Sequence, residues 1–147
     1  MACAVTPDRV MAEVERVMSR PFEWGPRDCC SAACDVFAAL WGFDPMARFR
    51  GYRGARDALR LMADGGGLPK LCAQVSRETG LIEGHAPGGF GLTAIEGLPS
   101  LLICITPGTW AGKTLRGFAL VRSADKGWCL AQTASDLDRP SGLCRPA

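Results

Sequence analysis

Apolar residues in the first half of the chain recur at helical spacing, whereas in the second half they gather into short runs. Val10, Val14, Val17 and Met18 fall at offsets 0, 4, 7 and 8, which is one stripe of a helix. Thr6-Pro7-Asp8 supplies its start: a capping hydroxyl, a proline at the first helical position and an acid in the first turn. The stripe stops near Ser19-Arg20, because Pro21 disfavours helical backbone at the residue before it. A second helix is expected over about 29–41, capped by Asp28 and ended by Gly42, with Ala33, Val36, Phe37, Leu40 and Trp41 on its buried face. A third is expected over about 54–63, stopping at Gly65-Gly66-Gly67, and a short fourth from Pro69 to Gly80.

After Gly80, prolines and glycines separate four short apolar runs, over 90–95, 101–106, 115–121 and 128–133. Leu101 to Ile105 is continuously apolar, the pattern of a strand buried on both faces. Helices first and an antiparallel sheet afterwards define an α+β fold. The expected organisation is a single domain over 1–134, followed by an irregular polar tail over 135–147.

Composition narrows the function. The chain has 147 residues, of which 48% are hydrophobic, enough for one core. Seventeen Lys plus Arg against fifteen Asp plus Glu leave a net charge of +2, which disfavours charge-driven nucleic-acid binding. No apolar stretch is long enough to span a membrane, and the first residues carry neither a basic region nor an apolar run of export-signal length. Arg50, Arg53, Arg56 and Arg60 read either as an anion-binding surface or as a solvated face in which Asp57 pairs with Arg53. Gly65-Gly66-Gly67 lacks the lysine and hydroxyl of a phosphate loop and reads as a helix stop.

Eight cysteines and one histidine bound the chemistry. Several of the cysteines occupy positions suited to small apolar residues, so buried free thiols are the expected state. Disulfides are one alternative. Structural zinc is another, but only Cys30-x3-Cys34 has ligand spacing and no second pair accompanies it, so no metal or cofactor is expected. The sharpest signal is the segment Pro21-Phe22-Glu23-Trp24-Gly25-Pro26-Arg27-Asp28-Cys29-Cys30. It sets Cys29 in the first turn of a helix, where backbone N–H groups and the helix dipole favour a thiolate. Such a thiolate is a candidate nucleophile, with Trp24 as one wall of an adjacent cleft. The plainer reading is that Asp28 caps while both cysteines pack. Trp110, in Pro107-Gly108-Thr109-Trp110, reads as an exposed turn and as the first candidate for a contact residue.

Pro21-Phe22-x-Trp24-Gly25-x-x-Asp28-Cys29 resembles the entry motif of the NlpC-type branch of papain-like cysteine peptidases. More closely, the chain resembles a family of small tail-module proteins of bacteriophages and prophages, distant relatives of that branch. Trp41-Gly42-x-Asp44-Pro45, Arg50-Gly51-Tyr52, Gly66-Gly67 and Ala86-Pro87-Gly88 continue the resemblance in order, so that it covers roughly residues 7 to 120. It implies helices packed on an antiparallel sheet, and Cys29 as the position of the nucleophile.

The chain departs from the NlpC-type pattern where catalysis would be completed. Gly88-Gly89 stands where those enzymes carry Gly-Asp, and Ser100 or Leu101 where they carry the histidine. A serine cannot take a proton from a thiol at neutral pH as an imidazole can. His85 is the sole imidazole, and it reads as a solvated loop residue or as a displaced base. The resulting expectation is a structural or assembly component of a phage, prophage or gene-transfer-particle tail tip or hub, with other tail proteins as partners. It would be made in the bacterial host cytoplasm and reside in the virion tail. The alternatives are an active cell-wall cysteine peptidase or amidase using Cys29 and His85, and a zinc- or thiol-dependent binding module on Cys30 and Cys34.

Overall fold

The structure, a computed structural model, describes residues 5–95 and 97–130. Helix α1 (Pro7–Met18) precedes α2 (Cys29–Trp41), a 3-10 turn (Ala47–Phe49), α3 (Ala55–Asp64) and α4 (Leu68–Thr79). Six strands follow: β1 (Leu81–Glu83), β2 (Phe90–Ile95), β3 (Leu98–Thr106), β4 (Thr109–Lys113), β5 (Phe118–Val121) and β6 (Lys126–Leu130). Every strand pair is antiparallel, and the order across the sheet is β1-β6-β2-β3-β4-β5. The α+β arrangement read from the hydrophobic pattern is the observed one.

The helix ends follow their local chemistry. The Thr6 hydroxyl accepts from the Arg9 N–H at 3.2 Å. Gly42 closes α2 in left-handed backbone, and its N–H donates to the Ala38 carbonyl. Helices α3 and α4 each lie within a residue or so of their expected bounds. The strands differ more. The expected run over 115–121 narrows to β5, the run over 128–133 starts earlier as β6, and its last three residues lie outside the described ones. The expected tail over 135–147 lies wholly outside them. Two strands have no counterpart in the reading. β1 has three residues, too short for an alternation signal. β4 carries Ala111 and Gly112 at its centre, and it forms because a tight turn at Pro107-Gly108 folds it back onto β3.

The 101–105 stretch of β3 is buried on both faces, as its unbroken apolar run requires. Leu101, Ile103 and Ile105 join the large core beneath α1 and α2, together with Val10, Val14, Phe37, Phe90 and Trp128. Leu102 and Cys104 point the other way and pack with Trp110 in a second, smaller cluster. The sheet therefore has a helix-covered face and a far face.

Candidate functional site

The loop from Pro21 to Asp28 folds into a tight, hydrogen-bonded turn. Glu23 and Arg27 exchange backbone bonds at 3.1 and 2.9 Å. Gly25 is required where it stands: its φ is +95°, and a Cβ there would lie 2.4 Å from the Tyr52 carbonyl oxygen. Asp28 is buried at 1% exposure, and both its carboxylate oxygens are occupied. Oδ1 accepts from the Cys30 and Ser31 N–H groups at 2.9 Å each; Oδ2 accepts from the Gly25 N–H at 2.9 Å and the Tyr52 hydroxyl at 2.5 Å. The Ser31 hydroxyl accepts in turn from the Asp28 N–H at 2.8 Å, which completes a capping box. Asp28 is thus a saturated cap, with no acceptor left for a ligand.

This cap presents Cys29 at the first position of α2, half-buried, with its sulfur 3.9 Å from that of Cys30. The Cys30 side chain hydrogen-bonds to the Cys29 sulfur and holds its thiol below the ordinary range, aided by the backbone at Leu101 and opposed by burial. The same hydrogen bond, together with burial, pushes the Cys30 thiol well up, so of the two sulfurs Cys29 is the one on which negative charge is favoured. Burial and the bond to Asp28 likewise raise the Tyr52 hydroxyl, which stays a proton donor. Tyr52 is a site residue that spacing alone does not reveal. Its place in the quoted Arg50-Gly51-Tyr52 piece was the only signal for it.

The scattered pieces of the motif meet in space. Besides Tyr52 on Asp28, the Trp41 indole N–H donates to the Gly88 carbonyl at 2.9 Å. The Arg50 guanidinium bonds to Asp44 at 2.8 Å and Asp35 at 2.6 Å. Arg50 is therefore committed to ion pairs and is not part of an anion-binding face. Arg53 precedes α3, and the expected pair with Asp57 is not among the ion pairs of the described residues.

Behind Cys30 lies an apolar chamber of about 70 Å³, open on one side, between α2, the 3-10 turn, α3, α4 and the sheet. Cys30, Cys34, Cys72, Tyr52 and Leu101 are part of its wall, and Trp24 is not. Burial pushes the Cys72 thiol up to about 12 and raises that of Cys34 as well, so these two act as small apolar side chains. The six cysteines among the described residues are free.

The remaining candidates are dispersed. Trp24 is 37% exposed, its ring edge-on to Phe22 at 4.9 Å. Trp110, expected at an exposed turn, is fully buried on the far face, with its indole N–H donating to the Pro107 carbonyl at 3.1 Å. Being strand rather than turn, it points inward and offers no contact surface. His85 lies on the same far face. Its ring meets that of Trp110 edge-on at 5.0 Å, and a Cβ built on far-facing Gly127 would touch both rings. The sheet thus stands between the only imidazole and Cys29, and the Cys29–His85 pair does not form. What faces the Cys29 sulfur from β3 is the backbone at Leu101. At Gly89, where the NlpC-type pattern has its acid, a Cβ would lie 2.5 Å from the Trp128 carbonyl oxygen, so this backbone has no room for a side chain.

Asp28, Cys29 and Cys30 are the one group of three potential metal donors found among the described residues, within 4.8 Å of one another. The saturated carboxylate leaves only the two sulfurs, which is half a tetrahedral zinc set. Cys30 and Cys34 gain no further donors there to complete a zinc site.

A cysteine pair at a capped helix start, with Cys30 lining an apolar chamber, on an α+β scaffold, defines the class of site. The chain itself belongs to the family described as Domain of unknown function (DUF6950), whose model matches residues 3–129. No curated protein and no solved structure matches it.

Proposed function

We propose that this chain is a structural or assembly component of the tail of a phage or phage-like particle, built on an NlpC-like domain that does not hydrolyse peptides. The observation that carries the non-hydrolytic half is the position of His85 across the sheet from Cys29. A thiolate can attack a carbonyl, but expelling an amine needs a proton donor at the leaving nitrogen, and none of the described residues around Cys29 offers an imidazole. The resemblance of the 21–29 segment and its downstream pieces to phage tail-module proteins supports the particle half. A contact surface on the loop side supports it too. The Phe22 N–H donates to the Leu115 carbonyl at 2.8 Å, which ties the turn carrying the exposed Trp24 to the β4–β5 connection, where Leu115 is 75% exposed. Other tail proteins are the partners this reading implies. No helix among the described residues is long and apolar enough to cross a membrane.

Purified particles from a strain encoding the chain test the first half: the protein should be present at fixed copy number, and Cys29→Ala should leave assembly intact. Incubation with bacterial sacculi tests the second: no muropeptides should be released. Release that disappears in Cys29→Ala would establish instead the cell-wall peptidase reading, for which the lowered thiol of Cys29 is the favouring observation and which would need a base from a partner.

A further inference from the structure

The sheet ends at β5 in an open edge. In the order β1-β6-β2-β3-β4-β5, strand β5 pairs with β4 alone. The Thr114 N–H bonds to the Gly117 carbonyl, so Lys113↔Phe118 and Ala111↔Leu120 are the pairs of this ladder that exchange no backbone bonds. The N–H and C=O groups of Phe118 and Leu120 therefore point off the edge, and no described residue bonds to them. The edge is apolar along its length and cationic at its ends. Phe118 packs against the large core, which places it and Leu120 on the helix-covered face, and Leu120 is 53% exposed. Arg116 and Arg122 flank the strand, both exposed, and neither pairs with an acid among the described residues. The Lys113 ammonium donates to the Thr114 and Gly117 carbonyls at 2.7 Å each, which fixes the connection carrying Arg116.

An open edge takes up an extended segment through main-chain bonds, and the charges beside it select which segment. A second copy of this chain is the wrong occupant. Pairing Phe118 of one copy with Leu120 of the other sets Arg116 opposite Arg122 twice, and like charges directly opposite repel. The same arrangement fits a strand of the opposite sign. We propose that β5 is a docking edge for an extended segment of another protein, running antiparallel to it, apolar at two alternate positions and carrying an acidic side chain at each end, spaced as Arg116 and Arg122 are. In this pairing the third and fifth residues of the segment lie opposite Leu120 and Phe118 and exchange backbone bonds with them. Their side chains extend the helix-covered face and cover Leu120, while the two acids meet Arg122 and Arg116. Docking is a property of the chain by itself, so the proposal stands apart from the tail reading.

The experiment uses the full chain and a dye-labelled peptide, Glu-Thr-Val-Thr-Val-Thr-Glu, blocked at both termini, with Lys-Thr-Val-Thr-Val-Thr-Lys as its counterpart. Fluorescence anisotropy reads binding, and amide NMR shifts locate it. The expected result is saturable binding of the Glu-ended peptide, about tenfold or more tighter than the Lys-ended one at low salt, with the largest shifts over 118–121. N-methylation of the third or fifth peptide residue, whose N–H faces β5, should abolish binding. N-methylation of the fourth, whose N–H faces away, should spare it. This comparison alters the peptide alone, so it holds whether or not substitutions fold. Replacing both flanking arginines, Arg116→Glu with Arg122→Glu, should reverse the preference between the two peptides. Absence of binding, or shifts confined to other parts of the chain, would overturn the docking edge. Binding indifferent to the position of the methyl group would overturn strand pairing, and equal affinity for the two peptides would overturn the role of the arginines. Dimerisation through β5, read by sedimentation, would make a second copy the occupant and overturn the proposal as well. Each of these outcomes leaves the tail reading to be decided by its own test, the copy number in particles.

Discussion

The reactivity of Cys29 is set by its neighbours, and each acts through a named contact. Cys30 shares a sulfur–sulfur hydrogen bond with it, the backbone at Leu101 faces the sulfur, and Asp28 caps the helix start that carries both cysteines. A lowered thiol means that thiolate, and hence nucleophilicity, is present at lower pH than for a free cysteine. Alkylation of Cys29 by iodoacetamide should therefore reach half its limiting rate at a lower pH than the same alkylation of an unstructured peptide cysteine. In Cys30→Ala the midpoint should move upward, because the hydrogen bond that favours the charged form is gone. Peptide-resolved alkylation across pH checks this, and a midpoint that stays put would remove Cys30 from the account. Cys34 and Cys72, pushed up by burial, should remain unlabelled until the protein unfolds.

At the scale of elements, the junction between the 21–28 turn and α2 carries the site. Asp28 serves three structures at once: the helix start, the turn through Gly25, and the segment holding Tyr52. Asp28→Ala should cost about 2–4 kcal/mol in denaturant unfolding, from a lost cap and a Tyr52 hydroxyl left without its acceptor. Tyr52→Phe removes one donor while Oδ2 keeps the Gly25 N–H, so it should cost only about 1 kcal/mol. A larger loss for Tyr52→Phe would mean that the ring, not the hydroxyl, supports the junction. The caps on α1 and α2 were legible in sequence because capping is local: Thr6, Asp28 and Gly42 each act on backbone a few residues away. β1 and β4 were not legible, because neither carries a period of its own. Pairing with β6 and β3, respectively, makes them strands.

Across the whole molecule, the sheet partitions the chemistry. The strand order sends the 84–89 loop past β6, and His85 comes down on the face away from the helices. His85→Ala should accordingly leave the rate and pH midpoint of Cys29 alkylation unchanged; a shift in either would show that the two sites communicate. Trp110→Ala should cost about 3–5 kcal/mol by chemical unfolding, since it empties the centre of the far-face cluster beneath Gly91 and Gly127, which have no side chains to fill the space. If the cost were below about 1 kcal/mol, Trp110 would not be the anchor of that cluster.

Residue pattern by itself determined the helices, the doubly buried β3 and the placing of Cys29 at a helix start, because apolar period, capping and proline geometry are properties of neighbouring residues. It also determined that a single imidazole must serve any Cys–His chemistry. Tertiary structure alone decided that this imidazole and the thiol lie on opposite faces, that Trp110 is buried, and that a chamber opens behind Cys30. Those outcomes depend on which strands pair and on the two-residue alternation that turns each side chain to one face or the other. Both are fixed by contacts between residues far apart in the chain.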